Sequence, residues 1–160
     1  MRKAAYEKLL KEILAEVAGS SHFKESTKYI QHGNTSIYRH SIMVARKSCQ
    51  IASRFNLDVS YNELVRGALL HDYFLYDWHD KAHKHRRPHG FFHASAALRN
   101  AMQDFMLTDI EKDIIKKHMF PLTPVPPVYI ESWVVCIADK ICSVGETFIQ
   151  ARKKANLSML

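Results

Sequence analysis

Six titratable side chains occupy places where an apolar helical face would point inward. His40 lies between Ile37 and Val44. His71 and Asp72 directly follow the apolar run GALL. His93 shares a face with Ala97 and Ala101. His118 stands four residues after Ile114 and eight after Ile110, and Asp139 sits inside the run WVVCIADKICSV. A buried charge is costly unless it is paired or bound to a metal. One inward histidine is ordinarily a hydrogen-bonded core residue. Six inward His and Asp residues spread over five helical segments point to something else. Helices packed as a bundle can bring such side chains to one centre. Imidazole and carboxylate are ordinary ligands of first-row divalent cations, so the chemistry in question is cation binding. The chain has ten histidines in all, and no two are adjacent, which excludes a purification tag.

The elements that must position these residues are helices. Tyr6, Leu9, Leu10, Ile13, Leu14 and Val17 recur at helical spacing and predict an amphipathic helix over residues 2–18, closed by Gly19. A short helix is expected over residues 24–30, broken by Gly33 and Asn34. Thr35 or Ser36 can cap the next one, whose inner face reads Ile37, Ser41, Val44, Ala45, Ser48, Ile51, Ala52 and Phe55. Ser60 and Glu63 have the spacing of a capping box ahead of Leu64, Val65, Ala68 and Leu69. Residues 73–90 are irregular, rich first in aromatics and then in His, Lys and Arg. A helix over residues 91–106 turns Ala94, Ala97, Leu98, Ala101, Met102 and Phe105 inward. Thr108 and Glu111 make a second capping box, before Ile110, Ile114 and Ile115, and Pro121 confirms a stop near His118. Residues 124–128 form an extended proline-rich loop. A last long helix covers residues 129–151, with Trp133, Val134, Ile137, Ala138, Ile141 and Phe148 as its core stripe. No segment alternates cleanly with period two, so the fold class is all-α. The expected architecture is one domain over residues 1–160, a bundle of about six to seven helices whose motif-bearing core spans 35–148.

Composition narrows the function classes. Apolar residues make up 47% and charged residues 24%, which suits a globular domain and not a disordered chain. The longest stretch without a formal charge runs from His118 to Ile130 and holds four prolines, so it cannot span a bilayer. The opening residues MRKAAYEKLLKEILAEV carry charges throughout and lack a signal-peptide apolar region. Cys49, Cys136 and Cys142 are odd in number, form no CxxC and sit in apolar stretches, as buried thiols of a reducing cytoplasm would. The net charge of +7 suits an anionic small-molecule substrate. It also admits nucleic acid, but neither a helix-turn-helix nor an aromatic RNA-binding signature accompanies it.

The order of the inward residues is H…HD…H…H…D, carried by the segments TSIYRHSIMVA, GALLHDYF, HASAAL, IIKKHMF and VVCIADKI. In these segments the chain resembles the HD-domain superfamily of metal-dependent phosphohydrolases. It is most similar to small bacterial single-domain members, including the symmetrical dinucleoside tetraphosphate hydrolases. The resemblance implies that His40, His71, Asp72 and Asp139 hold one metal, and that His93 and His118 signal a second, with Asp72 between the two. Iron and manganese are the usual metals of the family, and the sequence leaves zinc, magnesium, nickel and cobalt open. Two cations a few ångströms apart would lower the pKa of a water from 15.7 to roughly 7, giving hydroxide to attack phosphorus in line. Asp72 and His71 are then the catalytic pair. The expected function is hydrolysis of a nucleotide or another small phosphorylated compound. The competing reading is a regulatory module that binds a nucleotide and turns it over slowly or not at all.

Other features have two readings each. His89 could replace His93 as a ligand, or touch substrate. The basic run HDKAHKHRR, with Arg86 and Arg87, could reach over the site and grip phosphates; it could equally be a solvated loop. A separate zinc site from His79, His83, His85 and His89 lacks a cysteine. Lys140 either touches a substrate phosphate or snorkels to the surface. Lys116 and Lys117 complement a helix dipole. Tyr73, Phe74, Tyr76 and Trp78 either stack on a base or pack around the site mouth. His22 and His32 have no motif context. The N-terminal helix could serve a homodimer contact as readily as the core.

Overall fold

A computed structural model describes residues 1–20, 22–32, 35–74 and 89–157 of the chain. In chain order, α1 (Lys3–Ser20) leads through a 3-10 helix (His22–Lys28) into a two-stranded antiparallel hairpin, β1 (Ile30–His32) and β2 (Thr35–Ser36). Five helices follow: α2 (Ile37–Arg54), α3 (Tyr61–Leu70), α4 (His89–Asp104), α5 (Asp109–Lys117) and α6 (Ile130–Leu157). The all-α reading holds, and the hairpin is a small addition to it. No helix among the described residues is long and apolar enough to cross a membrane.

The core forms where α2, α3, α5 and α6 meet. Val44, Ala45, Cys49, Leu64, Ala68, Leu69, Ile114, Ile115, Val135 and Ala138 are fully or almost fully buried there. Each large aliphatic side chain taken out of water contributes about 1.5–3 kcal/mol. The stripe of α1 lies on this core through Tyr6, Leu10, Ile13 and Val17, so the N-terminal helix is spent on packing. Gly67 of α3 faces Ile114 of α5 so closely that a Cβ there would lie 2.5 Å from Ile114 Cδ1. That close approach brings the C-terminal ends of α3 and α5 together.

Helix starts follow local chemistry in two cases and tertiary contact in one. Ser36 caps α2 by accepting from the Arg39 N–H, and Thr108 with Glu111 forms the expected capping box of α5. The capping box expected from Ser60 and Glu63 does not form. Ser60 makes no side-chain cap bond, and its backbone N–H donates to Glu131 Oε1 at 2.8 Å. A buried carboxylate from α6 outcompetes the local partner.

Six residues assigned to the core are corrected. Phe55 is largely exposed, because α2 ends at Arg54 and Asn56 turns the chain away at φ 48°. Met102 of α4 is more than half exposed, one step beyond the arc occupied by Ala94, Ala97 and Ala101. On α6, Trp133, Ile137, Ile141 and Phe148 face outward, while Val134, Val135, Ala138 and Cys142 face the core. The helix is apolar around most of its circumference, so periodicity alone merges two opposite faces. The pairing of β1 with β2 is a further difference from the sequence pattern, since segments of two and three residues are too short to show alternation.

Candidate metal centre

Four helices and one helix-end dipeptide converge their inward polar groups on one buried point. His40 comes from the first turn of α2, His71 from the C-cap of α3 with Asp72 after it, His93 from α4, His118 from the C-cap of α5 and Asp139 from the middle of α6. All six are buried. The expected ligand set is therefore brought together.

The geometry divides the cluster around Asp72. His40, His71 and Asp72 form one group whose ligand atoms lie within 4.8 Å of one another, and Asp72, His93 and His118 form a second. Oδ2 of Asp72 is 3.3 Å from His71 Nε2 and 3.9 Å from His40 Nε2. Oδ1 is 3.3 Å from His93 Nε2 and 3.4 Å from His118 Nε2. Asp139 stands beside the first group, with Oδ1 3.0 Å from His40 Nε2 and 3.8 Å from His71 Nε2.

Three of the imidazoles are aimed by the nitrogen they turn away from the centre. His71 Nδ1 lies 2.8 Å from the Ala68 carbonyl, and His118 Nδ1 lies 2.9 Å from the Ile115 carbonyl. A carbonyl can only accept, so both Nδ1 atoms carry a proton and both Nε2 atoms point inward. Burial opposes a second proton on His71, but Asp72 and Asp139 favour one and raise its pKa well above the ordinary imidazole value. His40 Nδ1 faces the buried carboxylate of Glu146 at 3.1 Å and 3.2 Å. His93 Nε2 and His118 Nε2 stand 2.8 Å apart.

The donor set fits divalent cations. His71 Nε2 and Asp72 Oδ1 are buried without a hydrogen-bond partner among the described residues. A ring lone pair facing a carboxylate oxygen, and two ring nitrogens at contact distance, need a proton or a cation between them. Electrostatics report the same demand. Burial pushes the carboxyl of Asp72 upward, yet His71, His118 and His93 pull it well below the usual carboxylate range. Asp139 is likewise held low, against burial, by His40 and His71. Burial opposes protonation of His40, but Asp139 and Glu146 raise it to about 9. His118 goes the other way: burial and the neighbouring histidines lower it despite Asp72, which keeps the ring neutral and fit to be a ligand.

Three supporting residues escape a reading of the sequence. Gln31, buried on β1, donates from Nε2 to Asp72 Oδ2 at 2.5 Å. Glu146 lies seven residues beyond Asp139, two turns along the same face of α6, and that spacing is the available signal. Ser143 donates to Asp139 Oδ1 at 3.2 Å. Gln31 carries no signal, because its role depends on a hairpin too short to read.

The remaining candidates fall as follows. The Lys140 ammonium donates to the His118 carbonyl at 3.1 Å and the Cys136 carbonyl at 3.3 Å, tying α6 to the end of α5. Tyr73 and Phe74 pack: the Tyr73 hydroxyl donates to Asp104 at 2.5 Å, and the Phe74 ring meets His93 edge-on at 5.7 Å between centroids. Lys117 pairs with Asp113 at 2.6 Å, and Lys116 reaches Ser95. The exposed His22 lies 3.3 Å from Asp104. His89 opens α4, but its side chain lies outside the described residues, as does that of His32. Tyr76, Trp78, His79, His83, His85, Arg86 and Arg87 also lie outside them.

A helical bundle with histidines and aspartates gathered in this order defines a class. The chain matches the HD domain over residues 37–143 and belongs to the HD domain family, a family of metal-dependent phosphohydrolases. No curated protein and no solved structure matches it.

Proposed function

We propose that the protein is a phosphohydrolase with a two-cation centre, acting on a nucleotide or another small phosphorylated compound. The observation that carries this reading is Asp72, whose two oxygens face two different histidine groups. His40, His71 and Asp72, with Asp139 beside them, would hold one ion; Asp72, His93 and His118 would hold the other. Likeness to the family makes iron or manganese the expected metal, and the imidazole and carboxylate donors leave zinc, magnesium, nickel and cobalt open. Bound there, the cations would supply Lewis acidity and a water acidic enough to be an attacking group near neutral pH.

The chain's own residues do the positioning. Gln31 holds Asp72 Oδ2, which leaves Oδ1 to face His93 and His118. Glu146 and the Ala68 and Ile115 carbonyls hold three imidazoles in the tautomer that points Nε2 inward. Burial pushes the thiol of Cys49 up to about 12 and that of Cys142 up to about 11, which makes these two poor nucleophiles. The net charge of +7 favours an anionic substrate. Arg86, Arg87 and His89 are the candidates to meet its phosphates, the Lys140 ammonium being engaged at the His118 and Cys136 carbonyls, and dinucleoside polyphosphates belong in the substrate set. Three free, buried cysteines fit a reducing cytoplasm.

Elemental mass spectrometry on tag-free protein, purified without chelator, tests the reading. Near two equivalents of metal per chain are expected, with phosphate release from a nucleotide panel. Asp72→Ala should abolish release while the helical circular dichroism stays. Full activity in that variant would sink the assignment. Tight nucleotide binding with no product across several metals would replace it with the regulatory module.

A further inference from the structure

Helix α6 carries an apolar stripe on the side away from the metal centre. Ile130, Trp133, Ile137, Ile141, Val144 and Phe148 are each between 39% and 72% exposed. At 100° per residue, Ile137 and Ile141 lie almost opposite Asp139, and the stripe runs about 27 Å along the helix. It holds no charge. The carboxylates of Glu131, Asp139 and Glu146 are buried on the other face, and the Lys140 ammonium is engaged at the His118 carbonyl. With about half of a large side chain's ~150–250 Å² left in water at each position, the six expose on the order of 600 Å². That is at the top of what a monomer normally leaves bare, and close to the ~800 Å² per partner of a standard interface.

The spacing of the stripe names its partner. In an antiparallel pair of identical helices centred near residue 139, Ile130 meets Phe148 of the second copy, Ile137 meets Ile141, and Trp133 meets Val144. Every apolar residue finds an apolar residue, and each pair is repeated by the two-fold axis. An isologous interface requires that self-complementarity, whereas an unrelated partner does not. The absence of charge on the stripe removes like-charge repulsion between copies and disfavours an acidic partner or a nucleic acid.

We infer that the protein forms a homodimer through antiparallel packing of α6 against α6 of a second copy, with the two metal centres back to back. This goes beyond the catalytic reading and does not depend on it. Sedimentation of the full chain should give twice the 18.5 kDa of one chain. Ile141→Glu should sediment as a monomer with unchanged helical circular dichroism. The double variant Ile137→Cys with Ile141→Cys should form a crosslinked dimer on mild oxidation, reversed by reductant, and this holds even if Ile141→Glu folds poorly. A wild-type monomer at all concentrations would overturn the inference and leave the stripe to another occupant. A dimer that survives Ile141→Glu, or that gives no crosslink, would place the interface elsewhere.

Discussion

His71 and His118 hold the same position in two different helices and are fastened by the same bond. Each is the C-cap of its helix, and each turns Nδ1 back to the carbonyl three residues earlier, Ala68 in one case and Ile115 in the other. The bond satisfies one of the carbonyls that a helix end leaves open. It also fixes the tautomer, so Nε2 points inward. The rings meet edge to face with centroids 4.9 Å apart. A helix end thus takes the place of a dedicated supporting residue at two of the proposed ligands.

The closeness of these two helix ends rests on Gly67 against Ile114. Gly67→Ala should destabilise the fold by about 1–3 kcal/mol through overpacking, even after the gain of up to ~1 kcal/mol in helix propensity. Ile114→Val removes the Cδ1 atom that a Cβ at residue 67 would strike. The double variant should therefore be more stable than the sum of the singles predicts. Urea unfolding of the four proteins measures the coupling, and strict additivity would refute the contact.

Among the described residues, Glu146 reaches the centre through His40. Glu146→Ala should weaken metal binding by about 10–100-fold, whereas Glu146→Gln, which can still accept from Nδ1, should recover most of it. Calorimetric titration of apoprotein with manganese reads both. Equal losses in the two variants would mean that the negative charge matters and the hydrogen bond does not.

Asp113 joins α5 to the start of α6. Oδ1 pairs with Lys117 at 2.6 Å, and Oδ2 accepts the N–H groups of Val128 and Tyr129 at 2.9 Å and 3.4 Å. Burial works to raise its pKa, but Lys117, Val128, Ser132 and Tyr129 together lower it below the ordinary value. The folded pKa lies below the unfolded one, so the contribution is fully present above about pH 4 and disappears as pH falls through the depressed value. Asp113→Ala should cost roughly 2–3 kcal/mol at pH 7 and less near pH 2. Chemical denaturation of both proteins at the two pH values checks the sign; a larger loss in acid would contradict it.

The start of α3 belongs to Glu131 and not to Glu63. Removing the carboxylate with Glu131→Ala should cost about 1–2 kcal/mol, because the Ser60 N–H loses its partner. Glu63→Ala should change stability by less than about 0.5 kcal/mol. Thermal melts of the two variants decide between the local and the tertiary cap.

Much of this protein was decided at the level of sequence. Helical periodicity placed α1, α2, α4 and α5 within a few residues, because amphipathic helices with one apolar stripe encode their inner face directly. The six convergent residues were legible for the same reason: a charge or imidazole inside such a stripe is costly to bury unless a partner or a cation meets it there. The tertiary structure decided what depends on distant partners. It took the Ser60 cap from Glu63 and assigned it to Glu131, a competition invisible locally. It chose the inner side of α6, which carries apolar residues on both sides, through the packing of Val135 and Ala138 against α2 and α5. It folded Gln31 onto Asp72 by a hairpin of two short strands whose pairing, and not their sequence, makes them strands.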